Sequence, residues 1–229
     1  MSFMASLKAQ SAARKYQSGD VAGAEKLYDE AMSMGLKDPR YIISYSVLLL
    51  RTGEYQKSRE LLVANQKNPL LTAESRRQLH INYSVCVYKL GETDKAIRIL
   101  EAQHQKEPTG MIYQTLGYLY VEAGDPEKAI AFNQEALEYD DEDPITLDNL
   151  GQTYYRLIKD KEKAKEYFHK ALEQKPGQID TLYFLALMDL EDGDKASAKE
   201  KLQKALEGRF SPLNYATKEI IEEQLATLE

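Results

Sequence analysis

The chain has 229 residues, 43% of them hydrophobic and 29% charged, with a net charge of −7 and a pI near 5.2. That balance is ordinary for a water-soluble protein and speaks against a surface built to neutralise nucleic-acid phosphate. The single Cys86 excludes an intramolecular disulfide framework, and the most apolar window, residues 42–50, is too short for the roughly 20 residues a bilayer helix needs.

Apolar residues recur at helical spacing almost from the start. Helices are expected near 5–18 and 21–34, with Lys8 and Ser11 giving the first one a polar side suited to the end of an array. A second pair, 39–68, brings Ile42, Tyr45 and Leu49, with Ser58 at a small position of its second helix. The stretch NPLLTAESRRQ then lengthens the step, and Thr72 is expected to cap a helix over 72–90 without a full capping box, since Ser75 stands three residues on. Residues 109–139 carry Leu116, Gly117, Tyr120, Gly124, Ala129 and Ala136, with Asp125 and Pro126 as cap and first helical residue.

The clearest pair is 144–176, with one extra residue expected in its turn. Leu147, Leu150, Gly151, Tyr154 and Tyr155 form one stripe, and Ala164, Tyr167, Phe168, Ala171 and Leu172 the other. Small residues alternate with large ones, as in antiparallel helices that interdigitate, and the mid-helix Gly151 predicts a close approach of another helix. A further pair, 178–208, repeats the pattern with Leu182, Leu185, Ala186, Ala198, Leu202 and Ala205. The tail, 212–229, sets Ile220, Ile221, Leu225 and Leu228 against Lys218, Glu219, Glu222 and Glu223. It reads as a capping helix over an open end, with a dimerisation helix as the rival.

Ala24, Ser58, Ala96, Ala129, Ala164 and Ala198 recur about every 34 residues, and the first helices close at Gly19, Gly53, Gly91, Gly124 and Gly193, with Asp160 in the fifth place. On these positions the chain resembles the tetratricopeptide-repeat (TPR) family along nearly its whole length. The resemblance implies an all-α, right-handed α-solenoid of antiparallel helix pairs. It would be a single array over 1–229, with repeats near 5–38, 39–70, 71–108, 109–143, 144–177 and 178–211 and the cap over 212–229. It also implies a concave face lined by the first helix of each repeat. Carried over by position, that face would include Tyr16, Arg40, Arg51, Asn82, Tyr88 and Lys89, then Gln114, Tyr118 and Glu122. Further along it would hold Asp148, Asn149, Gln152, Tyr155, Arg156 and Tyr183, with Asp180 and Glu191 near its end. Tyrosines would give contact area at low entropic cost, and Asn82 and Asn149 would bond a peptide backbone. The Lys and Asn clamp by which some TPR modules hold chaperone tails is missing: the matching places carry Ile43, Val47, Met111 and Thr115 around Asn82.

Little else points to chemistry. His80, His104 and His169 lack metal-ligand spacing, there is no glycine-rich phosphate loop, and no catalytic pair stands out. The run Glu138, Asp140, Asp141, Glu142 and Asp143 lacks the ligand spacing of a calcium loop and reads as an acidic stretch before a helix N-terminus. Charge is uneven, with 16 basic and 12 acidic residues in 1–114 but 14 and 25 in 115–229. That asymmetry suggests a ligand of opposite polarity.

The expected function is a non-enzymatic protein-interaction scaffold that holds a peptide or protein segment in its groove, without cofactor, metal, nucleic acid or membrane insertion. Head-to-tail self-assembly is the alternative, and a helical-repeat RNA binder a third. The expected setting is cytoplasmic, with the abrupt opening MSFM leaving room for a soluble piece of a membrane-tethered parent.

Overall fold

The computed structural model of the protein describes residues 3–228. Met1, Ser2 and Glu229 lie outside them, and with them the start of MSFM and the last residue of the expected cap. The described residues form thirteen α-helices and no strand, so the expected all-α fold is observed. Two compact units divide the chain, Met1–Gln103 and His104–Glu229.

Unit 1 holds α1 (Phe3–Gln17), α2 (Val21–Ser33), α3 (Pro39–Arg51), α4 (Tyr55–Asn65), α5 (Ala73–Lys89) and nearly all of α6 (Thr93–His104). Its core runs from Ala5, Ala9 and Ala12 on α1 through Ala24, Tyr28 and Ala31 on α2 to Ile42, Tyr45, Leu48 and Leu49 on α3. Stacked rings of Tyr28 and Tyr45, 4.8 Å apart, join α2 to α3. Ser58 keeps the small position on α4 without leaving its hydroxyl stranded, because Oγ donates to the Ser46 carbonyl at 3.1 Å. Cys86 on α5 is fully buried. One expectation changes here. Thr72 and Ser75 do make a reciprocal capping box, with the Ser75 hydroxyl accepting from the Thr72 N–H at 2.8 Å, because serine at that position reaches back as glutamate ordinarily would.

Unit 2 holds α7 (Gly110–Glu122), α8 (Pro126–Tyr139), α9 (Pro144–Gln152), α10 (Lys161–Gln174), α11 (Ile179–Glu191), α12 (Lys195–Leu206) and α13 (Lys218–Ala226). Helix α9 continues as a π-helical turn over Thr153–Ile158. Asp125, Asp143, Asp160 and Asp194 cap α8, α9, α10 and α12, each accepting from the backbone N–H three residues on. Phe168 and Phe184, stacked 5.7 Å apart, tie α10 to α11 in a core that also takes Leu150, Leu182, Leu185, Ala198, Leu202 and Ile221 of α13.

The π turn corrects one reading. Where Gly19, Gly53, Gly91 and Gly193 close a first helix, the next residue donates to the carbonyl five positions back: Asp20 to Lys15, Glu54 to Leu49, Glu92 to Val87, Asp194 to Asp189. In the fifth pair Asp160 donates to Tyr154, six back. One residue has been inserted, so the left-handed place falls on Lys159 (φ 67°) rather than on Asp160, which is the cap of α10.

Candidate functional site

A cavity of about 320 Å³ opens in unit 2 on the side of the first helices of its pairs. Met111, Gln114, Thr115 and Tyr118 come from α7, Ile145, Asp148 and Asn149 from α9, and Ile179 and Asp180 from the first turn of α11. These residues fall three, four or seven positions after Met111 on α7 and three or four after Ile145 on α9, so helical periodicity alone sets them on one face. The remaining wall is Lys175, Gly177 and Gln178 before α11 and Arg209, Ser211, Leu213 and Asn214 after α12. Exposed Met111 and half-buried Ile145 give the opening an apolar lip.

Its floor is polar and closely bonded. Asp148, only 2% exposed, accepts from the Thr181 hydroxyl at 2.5 Å and from Gln152 Nε2 at 2.7 Å. Asp180, 4% exposed, accepts from Asn214 Nδ2 at 3.0 Å and from the backbone N–H groups of Tyr215 and Ala216 at 3.1 and 3.0 Å. Burial, with the neighbouring Asp180 charge second, pushes the Asp148 carboxyl up to about 7. Burial also raises Asp180, against the pull of its three N–H donors and of Arg156.

The expected groove residues of unit 2 divide into those that line this cavity and those bound beside it. Gln114, Tyr118, Asp148, Asn149 and Asp180 line it. Gln152 is fully buried, between Asp148 and Arg156 Nη1 (2.9 Å). Arg156 Nη1 also pairs with Glu122 at 2.6 Å, and its guanidinium carbon stands 4.0 Å from the centre of the Tyr215 ring. Tyr155 donates its hydroxyl to Glu191 at 2.6 Å, and burial, with that bond second, holds the phenol above its ordinary range; Tyr183 packs on Phe184 and Tyr215. The acidic side chains that gave this part of the groove its polarity are therefore matched by partners within the unit.

In unit 1, Arg40 and Arg51 are exposed and Tyr16, Tyr88 and Lys89 half-buried. Arg40 folds back on its own helix cap, with Nη2 2.7 Å from Asp38. Asn82 is buried and donates to Ser46 Oγ at 2.8 Å while accepting from Gln78 at the same distance. Asn149 likewise donates to the Gln114 carbonyl and to Asn133 Oδ1, both at 3.2 Å. Both asparagines thus clasp one first helix to its predecessor instead of presenting free amides to a peptide. A buried polar side chain must be bonded, and the neighbouring helix supplies the partner.

Sequence reasoning missed Thr181, Asn214 and Tyr215. Thr181 carried no signal beyond its place one turn from Gln178. The other two lie in a non-helical link whose approach to Asp180 spans more than 30 residues of chain. Among the described residues no cluster of His, Cys, Asp and Glu could hold a metal ion, and no helix is long and apolar enough to cross a membrane.

The repeat pattern of the family described as tetratricopeptide repeat matches residues 112–143 and 146–178. A comparison with curated proteins gives no match. Among solved structures, a thermophilic TPR protein of Thermus thermophilus is similar over 83% of this chain and 98% of its own, with 17% identity and a TM-score of 0.68. PilW, a widely conserved type IV pilus biogenesis factor, aligns over 100% of this chain and 99% of its own at 17% identity and a TM-score of 0.69. The Cut9–Hcn1 hetero-tetramer of the APC/C matches 98% of this chain and 42% of its own, at 16% identity and a TM-score of 0.70. At such identities the likeness is one of fold. Together with the two matched repeats, it shows the chain to be a helical-repeat protein with the tetratricopeptide architecture.

Proposed function

We propose that the protein is a non-enzymatic interaction scaffold and that unit 2 receives a segment of a protein partner against α7, α9 and α11. The fold is one that serves protein–protein interaction in general, and structures similar to it include a chain of the APC/C hetero-tetramer Cut9–Hcn1 and a pilus biogenesis factor. The observation that supports the site is the 320 Å³ cavity itself, which combines an apolar lip with polar groups fixed by neighbours. The lip would take an aliphatic or aromatic side chain, and half-buried Gln114, its Nε2 donating to Asp143 at 2.8 Å, would offer its amide oxygen to a backbone N–H of the segment. Thr181, whose hydroxyl meets Asp148, is fully buried and lies outside the lining, so the reading assigns the cavity recognition rather than turnover.

The test is capture from a lysate by the full chain and by Met111→Glu. Met111 is 47% exposed, so a charge there should leave folding alone while spoiling an apolar contact. Proteins held by the unaltered chain and lost with Met111→Glu, at equal unfolding temperature, support the reading. An identical captured set from both would refute it.

A further inference from the structure

Residues 209–217, between α12 and α13, form a strap along the cavity of unit 2. It begins with a turn: Asn214 N–H donates to the Ser211 carbonyl at 3.1 Å, and Ser211 N–H donates to Asn214 Oδ1 at 2.6 Å. Beyond the turn three consecutive residues enter the unit. The Asn214 amide and the backbone N–H groups of Tyr215 and Ala216 all donate to Asp180. The Tyr215 ring lies over Arg156 and 5.1 Å from Phe184, and Ala216 is fully buried. Two of the three N–H donors are backbone groups, so Asp180 recognises a chain path more than a side chain. Arg156 adds a flat cationic face for an aromatic ring, and the fully buried place at Ala216 is filled by a small side chain.

The hold is local. Helix α13 has nine residues and a single fully buried side chain, Ile221, and an isolated helix of that length has little stability in water. Tyr215 is still 37% exposed. The strap and α13 are therefore the part of unit 2 with least to lose on opening.

We propose that residues 211–216 are an internal occupant of the partner site in unit 2, and that the partner is a turn-bearing protein segment presenting an amide, an aromatic and a small residue in succession, which displaces the strap to bind. The proposal rests on the reading of unit 2 as the partner site and names the chemistry that site selects. A competing segment would exchange its own N–H groups for those of residues 214–216 at Asp180, and its own ring for Tyr215 over Arg156, so the strap sets a threshold for binding.

The probe is a fluorescent peptide of residues 209–217, RFSPLNYAT, titrated by anisotropy against the full chain, against Tyr215→Ala, and against Tyr215→Ala combined with Asp180→Asn. The loosened strap of Tyr215→Ala should raise peptide affinity at least about tenfold over the unaltered chain, and Asp180→Asn should erase the gain. Faster hydrogen exchange in α13 of Tyr215→Ala, with α7 to α11 unchanged, should accompany it. Equal peptide affinity of the unaltered chain and Tyr215→Ala overturns the proposal. Where Tyr215→Ala lowers the unfolding temperature of the whole chain, Asn214→Ala replaces it, and absence of a gain there overturns the proposal too. Loss of lysate capture with Met111→Glu but no peptide gain would leave the partner site standing and remove only the strap.

Discussion

Gly151 lies against the ring of Phe168, where a Cβ built on the glycine would stand 2.5 Å from both Cδ1 and Cε1. A mid-helix glycine ordinarily costs about 1 kcal/mol against alanine, and here that cost secures the close packing of α9 on α10. Gly151→Ala should therefore destabilise in spite of better helix propensity, by about 1–3 kcal/mol from overpacking. Urea denaturation checks the sign, and a more stable variant would mean that α9 and α10 are not this close.

One residue earlier, Leu150 is fully buried in the core of unit 2. Leu150→Ala should cost about 2–5 kcal/mol, since dense packing around it limits collapse into the space left behind. A lowered midpoint in denaturant with an unchanged slope is the expected result.

Asp148 gives stability an unusual dependence on pH. Its folded carboxyl sits at about 7, well above the unfolded value near 3.8, so the native state binds the extra proton between the two. The corresponding stability is fully present below the unfolded value and is lost as pH rises through about 7. Unit 2 should thus unfold at a higher temperature at about pH 5.5 than at about pH 8. Asp148→Asn, which can still bond Thr181 and Gln152, should weaken this dependence and stabilise at alkaline pH, leaving the part that belongs to the likewise raised Asp180. Calorimetry across that range reads both effects.

Lys159 holds a left-handed conformation at φ 67° where its counterparts are glycines. Lys159→Gly should relieve strain of about 1 kcal/mol, less whatever the freer unfolded chain takes back. Asp160→Ala, which removes the cap of α10, should go the other way by about 1 kcal/mol. Thermal unfolding of the two variants compares them directly, and a destabilising Lys159→Gly would show that its side chain has a packing role.

The elements were legible because their causes are local. Apolar stripes at helical spacing, aspartates ahead of second helices and glycines behind first ones each act over a few residues, and Gly151 announced its close contact. The extra residue of the fifth pair was legible from its spacing, but its form was not: nothing in TYYRLI distinguishes a π turn from a longer loop, and Asp160 was given the glycine's place. The hydrogen-bond partners of the groove residues were hidden for the same kind of reason. Asn82, Asn149, Gln152 and Asp148 are polar residues on first helices, and only the folded chain shows that Ser46, Asn133, Arg156 and Thr181 claim them. The strap could not be foreseen either, because Asp180 and Ala216 meet only after α11 and α12 have folded.

The solitary thiol of Cys86 has a practical consequence. Fully enclosed on α5, and with burial pushing its ionisation up, it has neither the access nor the thiolate population that alkylating reagents require. Its labelling rate would therefore clock how often the first 103 residues breathe, in the unaltered chain and with no engineered reporter.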